Sequence, residues 1–419
     1  MNAPLSVQET APIEDAAPAQ RLLPAVVLGI DTPIGLSIVR SLGRRGVSVY
    51  GIARSTAAPG LSSRYLRQGM LRAEDAPGTL DQLEQLAARI GPACLFAISE
   101  GDIALLNRHR DRLSGYRLMF PDTRRMDTVL DKQQTYAAAG RAGVPVPRTV
   151  QPVTLAEAEA VAPTLRYPVV LKWAEPNEAG ILLRRAGLAL DKTRYCHDGK
   201  ELLDYLRQFE PVGRYPMIQE YCAGYGLGQF FLMHEGQVHC VFQHRRLHEW
   251  PPEGGVSTLC ESVSLEQHAA LRERSLALLR ELDWEGIAMV EYRYDPDRDE
   301  AALMEINGRF WGSLPLACHA GADFPWLAYS LLGIGASQPQ PGYRAGVRCR
   351  FMIPETKRLA RLLLRPGAVA DRNLTFSRAG ELAGYLADFL RPSTRYYLFT
   401  WSDPLPFLRD LWHVVRRSG

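Results

Sequence analysis

The sequence predicts an α/β chain that opens with a parallel, Rossmann-like sheet and continues as an α+β part built mainly on antiparallel strands. Two observations carry this. Ala25 to Ile30 is an apolar, β-branched run; Ile34, Ile38, Val39 and Leu42 then recur at helical spacing, Gly43 and Gly46 stop the helix, and Val47 to Ile52 forms a second strand. A strand, a helix and a strand in immediate succession make a βαβ unit, which requires parallel pairing. Farther on, strand-like runs are separated by short polar turns instead of helices, the pattern of hairpins. At 419 residues there is chain enough for about three domains of ordinary size.

The first 21 residues are rich in Ala, Pro and acids and lack both a basic start and an apolar run, so they read as a disordered tail and not as a targeting peptide. Residues 22–121 form the Rossmann-like unit. Within it Ala93 to Ile98 is a later strand, with Glu100 and Asp102 in the loop at its end. The G-x-G-x-x-G signature is missing, and Ile52, Ala53 and Arg54 stand where an acid would meet a ribose, so a dinucleotide role is disfavoured. A second unit spans 122–335. It begins with a helical pattern from Asp127 to Gly143, closed by Val144-Pro145-Val146-Pro147, where two prolines forbid continuation. Tyr167 to Lys172 is a strand ending in a lysine, Met217 to Tyr221 is another, and Gln229 to Met233 and Val238 to Gln243 flank the turn His234-Glu235-Gly236-Gln237.

After residue 335 the chain reads as a helical extension to residue 419. Lys357, Arg358, Arg361 and Arg365 stripe a basic, Leu-rich helix. Leu405, Leu408, Trp412 and Val415 define an amphipathic terminal helix flanked by Arg416 and Arg417. We expect these apolar residues to pack on the core; a membrane-surface or partner-docking role is the less favoured alternative.

Charge and cysteine content bound the function. Lys and Arg total 49 against 46 acids, and a net +3 is too small for nucleic acid to be the main partner. Seven scattered cysteines without a CxxC pair argue against a disulfide framework and a structural zinc site, and fit a reducing cytoplasm. No run approaches the roughly 18 apolar residues of a membrane-spanning helix.

The segment Ala288 to Arg309 is the most informative. Asp295 to Glu300 marks a hairpin turn, and symmetry about Arg298 puts Glu291 opposite Glu305. Even positions (Val290, Tyr292, Tyr294, Met304, Ile306) are apolar; odd ones (Glu291, Arg293, Glu305, Asn307, Arg309) are polar and share a face. Opposed like charges are destabilising unless neutralised. Either a hard cation does so, since carboxylate and amide oxygens are the ligands magnesium prefers, or Arg293 and Arg309 pair with the glutamates on a solvated face.

Glu305-Ile306-Asn307-Gly308-Arg309, preceded by the acidic strand residue Glu291, resembles the Glu-x-Asn-x-Arg signature of the ATP-grasp superfamily, in particular its carboxylate–amine ligases of the carbamoyl phosphate synthase large-subunit type. The resemblance extends over about residues 22–330 and implies a pre-ATP-grasp domain, a small lobe over about 122–216 and a large lobe over about 217–335. It implies that Glu291, Glu305 and Asn307 hold magnesium, two ions or manganese in their place, and that Arg309 steadies a phosphorylated intermediate. Lys132 and Lys172 match the lysines that contact ATP phosphates, and Gln219, Glu220, Tyr221 and Cys222 match the hinge strand that meets adenine. The implied reaction joins a small-molecule carboxylate to an amine with release of ADP and phosphate. One of Arg245 and Arg246, adjacent on a strand and therefore on opposite faces, is expected to grip the carboxylate or acyl phosphate. Trp173 to Gly180 is poor in glycine where relatives have a phosphate-covering loop, which admits a nucleotide-binding regulatory or scaffolding protein instead of an enzyme; Gly224 to Gly228 lacks the acid that many relatives use on the ribose.

Overall fold

A computed structural model describes residues 22–418 except 174–175, 192, 340–341, 370 and 372–373; the expected tail lies outside the described residues. Five strands, β1 (Ala25–Leu28), β2 (Val49–Ala53), β3 (Gln68–Leu71), β4 (Ala93–Ala97) and β5 (Tyr116–Leu118), form an all-parallel sheet in the order β3-β2-β1-β4-β5. The order reverses beside β1, so a crevice opens at the carboxyl ends of β1 and β4, where open α/β sheets take ligands. Two helices start at this crevice. Pro33–Gly43 is capped by Thr32, and Glu100–Arg108 by Ser99, each side chain accepting from a first-turn N–H. Glu100 is thus the first helical residue and not part of a loop.

The helical pattern of 127–143 resolves into two helices, Thr123–Leu130 and Lys132–Arg141, broken at Asp131. Asp131 ends the first and caps the second, accepting from the N–H groups of Gln133 and Gln134. The small lobe follows: β6 (Thr149–Val150), β7 (Val169–Lys172), β8 (Arg194–Cys196) and β9 (Met217–Glu220) pair antiparallel in the order β6-β9-β7-β8. Its interior is its own. Leu171, Leu202, Leu206, Phe209 and Ile218 close one core among themselves.

The large lobe is a seven-stranded sheet of β10 (Tyr225–His234), β11 (Gln237–Trp250), β12 (Val256–Ser262), β13 (Gly286–Asp295), β14 (Glu300–Asn307), β15 (Arg348–Arg350) and β16 (Thr394–Tyr396), ordered β14-β13-β10-β11-β12-β15-β16. The turn between β10 and β11 puts Glu235 and Gly236 at positive φ, the primed geometry a two-residue hairpin needs. The extension after residue 335 is mainly helical, and it also gives this sheet its last two strands. Apolar residues of the first domain and of the large lobe share continuous cores: Ile38, Phe96, Phe230, Trp311 and Tyr329 in one, Leu28, Leu95, Phe231 and Val290 in another. These two units form one block, which also takes in Met126, Val129, Ala138 and Val144 from the two helices after residue 122, while the unit around β6–β9 keeps a separate interior.

A buried ion pair fastens the extension to the first domain. Arg40, 7 % exposed, donates from Nε to Asp403 Oδ2 at 2.9 Å and from Nη2 to the carbonyls of Leu398 and Asp403, and Asp403, 1 % exposed, also accepts from Ser63 Oγ and the Arg64 N–H. Removing one partner strands the other's charge away from water. Asp403→Ala should therefore cost about 3–5 kcal/mol in urea denaturation, whereas a loss below about 1 kcal/mol, the range of surface pairs, would show that the clamp is not a structural anchor.

Candidate active site

The hairpin of β13 and β14 places Glu291 directly opposite Glu305, by a different route from the symmetric turn the sequence suggests. Asp295 pairs with Glu300 and Tyr292 with Leu303; a bulge beyond Tyr292 then absorbs Met304 and shifts the register by one, so that Glu291 meets Glu305 and Met289 meets Asn307. The bulge also corrects the face assignment. Leu303, not Met304, is fully buried beside Tyr292.

Arg246 crosses to this hairpin from β11. Its Nη2 lies 2.6 Å from Glu291 Oε2 and its Nη1 3.1 Å from Glu249 Oε1, while Arg293 Nη1 stands 3.7 Å from Glu249 Oε2. Strand β10 lies between, and Arg246 passes over it at Gly226, where a Cβ would come within 2.7 Å of Arg246 Cδ. Gly226, the middle glycine of Gly224-Tyr-Gly-Leu-Gly228, thus clears a path for the Arg246 side chain. Burial pushes the Glu291 carboxyl up to about 7; Arg246 opposes this, and Glu305 and Glu249 add to it. Arg246 itself stays charged because these carboxylates surround it.

Glu305 accepts from Asn307 Nδ2 at 2.8 Å and is exposed. Neither glutamate is paired with Arg293 or Arg309, so the ordinary surface-hairpin arrangement is not the one adopted. Arg309 instead reaches out of the large lobe to Glu100 at 3.0 Å, at the start of a first-domain helix. Arg246, Glu291, Glu305, Asn307 and Arg309 line one cavity of about 670 Å³ that opens onto the crevice at Gly29, Thr32 and Ser99. His244, fully buried against Phe230, holds Ser313 Oγ at 2.7 Å on the same wall, and burial drives its imidazole down to about 3, so it is neutral.

On the small-lobe side Lys172 Nζ is 3.4 Å from Gln219 Oε1, and Gln219 Nε2 bonds Tyr136 Oη and Thr149 Oγ1. Burial and the charge of Lys132 lower the Lys172 pKa, with Glu305 and Glu291 acting the other way. Lys132 opens its helix and lines a second cavity, about 1400 Å³, with Tyr136, Thr149, Trp173 and Met217. Lys172 therefore stands electrostatically between the two cavities.

Several expected residues fall elsewhere. Arg245 faces away, its guanidinium on Glu261 at 2.6 Å, so Arg246 alone of the pair faces the site. Glu220 is turned to the opposite face from Gln219. Its carboxylate accepts from Arg166 Nε at 2.8 Å and the Arg166 N–H, with Arg148 at 3.5 Å, and these arginines keep it below the usual carboxylate range against the effect of burial. The N–H groups of Glu220 and Tyr221 are bound to the carbonyls of Arg148 and Pro168. Tyr221 Oη donates to Asp371, and burial raises the Cys222 thiol. In the segment expected to cover phosphates, residues 174–175 lie outside the described residues and a helix, Pro176–Arg185, follows. Glu100, Glu249 and Gly226 were not singled out as site residues from sequence; each gains its place only through a partner distant in the chain.

Residues 217–352 match the family described as "ATP-grasp in the biosynthetic pathway with Ter operon". No curated protein matches the sequence. Solved structures similar in fold include the biotin carboxylase domain of the Hydrogenobacter thermophilus 2-oxoglutarate carboxylase (TM-score 0.60, 15% identity, 78% of this chain and 74% of that one). Others are N5-carboxyaminoimidazole synthetase from Staphylococcus aureus (0.57, 15%, 76% and 78%) and L-amino acid ligase from Bacillus licheniformis (0.55, 17%, 77% and 76%). The large lobe thus matches an ATP-grasp family model, and the chain shares its fold with these solved structures.

Proposed function

We propose that this protein is an ATP-dependent ligase that activates a small-molecule carboxylate as an acyl phosphate for capture by an amine or similar nucleophile. The observation that carries the reading is the hairpin face on which Glu291 opposes Glu305 beside Asn307, flanked by Arg246 and Arg309 and by Lys172 and Lys132. The donor set fits magnesium: two carboxylates and an amide oxygen on one sheet face, a charge repulsion a hard cation would relieve, and a cavity beside them for phosphates. Glu291, Glu305 and Asn307 would hold the metal, which supplies neutralisation of phosphate charge. The Hydrogenobacter thermophilus structure, described as holding MgADP, ADP and bicarbonate, supports ATP and magnesium as partners of this fold.

In the proposed reaction a carboxylate oxygen attacks the γ-phosphorus, the bond to the β-phosphate oxygen breaks, and ADP leaves. The amine then attacks the acyl carbon, phosphate departs with the C–O electrons, and the nitrogen loses a proton. Lys132 and Lys172 steady the nucleotide phosphates as point charges, and Arg309 and Arg246 grip the transferred group. Gln219 positions Lys172. Glu220, Tyr221 and Cys222 belong to the hinge strand, where carbonyl groups remain as the means of meeting adenine. A second reading, a regulatory nucleotide-binding protein, is favoured by the helix Pro176–Arg185 that follows Trp173 where a glycine-rich loop is expected.

The deciding experiment supplies ATP, magnesium, hydroxylamine and pooled amino acids and small carboxylates. Carboxylate-dependent ADP release with hydroxamate formation is expected; ADP release without hydroxamate would refute the acyl phosphate, and no carboxylate-dependent release favours the regulatory reading. Glu305→Gln should leave the ligand-free protein as stable as the parent, or more stable by about 0.2–1 kcal/mol. It should nevertheless lose most of the thermal stabilisation that magnesium and ATP confer together. A ligand-induced shift that survives the substitution removes the metal from this hairpin.

The pH dependence tests Glu291 separately. Its carboxyl ionises near 7 in the folded chain against an ordinary 4.5. The folded state therefore keeps this proton longer than the unfolded one, and the stability so contributed is full below the unfolded value and lost as pH rises through 7. Relative to Glu291→Gln, the parent should lose on the order of 3 kcal/mol between pH 4 and 8. Parallel denaturation curves at the two pH values would contradict this account.

A further inference from the structure

The terminal helix, Leu405–Ser418, packs the reverse of what its sequence suggests. Pro406 is buried and Phe407, Asp410, His413 and Val414 are half-buried on the inward side, with Phe407 edge-on to Phe399. Leu405, Leu408, Leu411 and Trp412 are 56, 52, 43 and 55 % exposed on the opposite arc, and Trp401, just before the helix, is 88 % exposed. The expectation that Leu405, Leu408 and Trp412 pack on the core is thus corrected; the side chain of Val415 lies outside the described residues. The preceding helix, Arg378–Leu390, also turns Leu382, Leu386, Phe389 and Leu390 outward. Nine of the seventeen exposed large apolar side chains among the described residues fall between 382 and 412 along the chain, and five of them, Trp401, Leu405, Leu408, Leu411 and Trp412, belong to the terminal segment.

The charges around this face have one sign. Glu381 is bound to Arg358, Asp388 is buried on Arg348, Asp403 is buried on Arg40, and Asp410 is half-buried with its carboxyl pushed up. The outward charges on the helix are Arg409 and Arg416, the latter 4.7 Å over the Trp412 ring. An outward arc of Leu and Trp edged by arginines has the chemistry of an interfacial helix. A protein partner of ordinary polarity would find no acid on this arc to hold its own cations. None of the helices is long and apolar enough to cross a membrane among the described residues, so the contact would be peripheral.

We propose that Trp401 and the outer face of Leu405–Ser418 dock this protein on a membrane surface bearing anionic headgroups, with the aromatic and leucine side chains entering the headgroup boundary and Arg409 and Arg416 meeting lipid phosphates. The site chemistry proposed above does not depend on this docking. Co-sedimentation of the full chain with vesicles of phosphatidylcholine alone, or mixed with phosphatidylglycerol, tests it. Binding is expected to the anionic vesicles only and to weaken as salt is raised. Removing Arg409 and Arg416 charge, as Arg409→Gln and Arg416→Gln, should weaken it about fivefold for each. Trp401→Ala with Trp412→Ala should abolish most of it. Because these side chains are exposed, the variants should keep the parent's circular dichroism and its thermal shift with magnesium–ATP. Equal binding to both vesicle types, no binding to either, or binding indifferent to the tryptophans would overturn the proposal. So would concentration-dependent dimerisation that Trp412→Glu dissolves, since the face would then serve a second copy of the chain.

Discussion

Two carboxylates held opposite each other across neighbouring strands are the constraint around which the large lobe is organised. Glu291 and Glu305 cannot move apart, because β13 and β14 bury Val290, Tyr292, Leu303 and Ile306 on their other face, and sliding the register by one residue would turn those side chains out to water. The charge must be answered in place. Arg246 answers it from two strands away, and it can do so only because Gly226 leaves the intervening strand bare. Glu249 then holds the other end of Arg246 and leans toward Arg293. A chain of alternating charges thus runs across three strands, and Glu305 is left at its end as the exposed member, facing the cavity.

The lobes differ in a way that suits closure on a ligand. The first domain and the large lobe are welded by shared cores, by Arg309 on Glu100 and by the Arg40–Asp403 clamp that returns from the extension. The small lobe closes its own core and presents Lys172 and Gln219 to the charged hairpin across the cleft. A polar cleft between separate apolar interiors can open without exposing core. Motion of the β6–β9 unit would leave these cores intact, while the Glu291–Glu305 face and the crevice of the first domain stay fixed relative to each other.

What was legible in the sequence was whatever follows from local periodicity. The βαβ start, the sheet strands and the opposition of Glu291 to Glu305 are all set by alternation and turns within a few residues. The register held although the turn was read one half-step off, because the bulge at Met304 restored it; the face that mattered was fixed by the larger number of apolar neighbours. Arg245 and Arg246 could be divided between faces, but not assigned, since nothing local says which face meets Glu261 and which meets Glu291. The partners of Glu220 are equally beyond local reading: Arg148 and Arg166 claim its carboxylate from elements that are remote in sequence. The terminal helix fails differently. Periodicity identifies an apolar arc but not what covers it, and here the body of the protein covers the other arc.

The pairing of Arg309 with Glu100 shows how the first domain enters the site. Arg309 is the last residue of the Glu-x-Asn-x-Arg segment, and its guanidinium is held not by its own lobe but by a carboxylate that the crevice presents from the first turn of a helix. A helix N-terminus is an electrostatically favourable place for an acid. Asp102, on the opposite side of the same helix, is ion-paired with Arg54 and Arg72, which leaves Glu100 as the crevice acid that spans the two units. A guanidinium has donors to spare after one carboxylate is bound. Arg309 can therefore stay anchored on Glu100 and still turn its remaining N–H groups to an anion in the cavity. The first domain thus fixes the direction of an arginine that the large lobe supplies, which explains why the cavity is built at their junction and not within either unit alone.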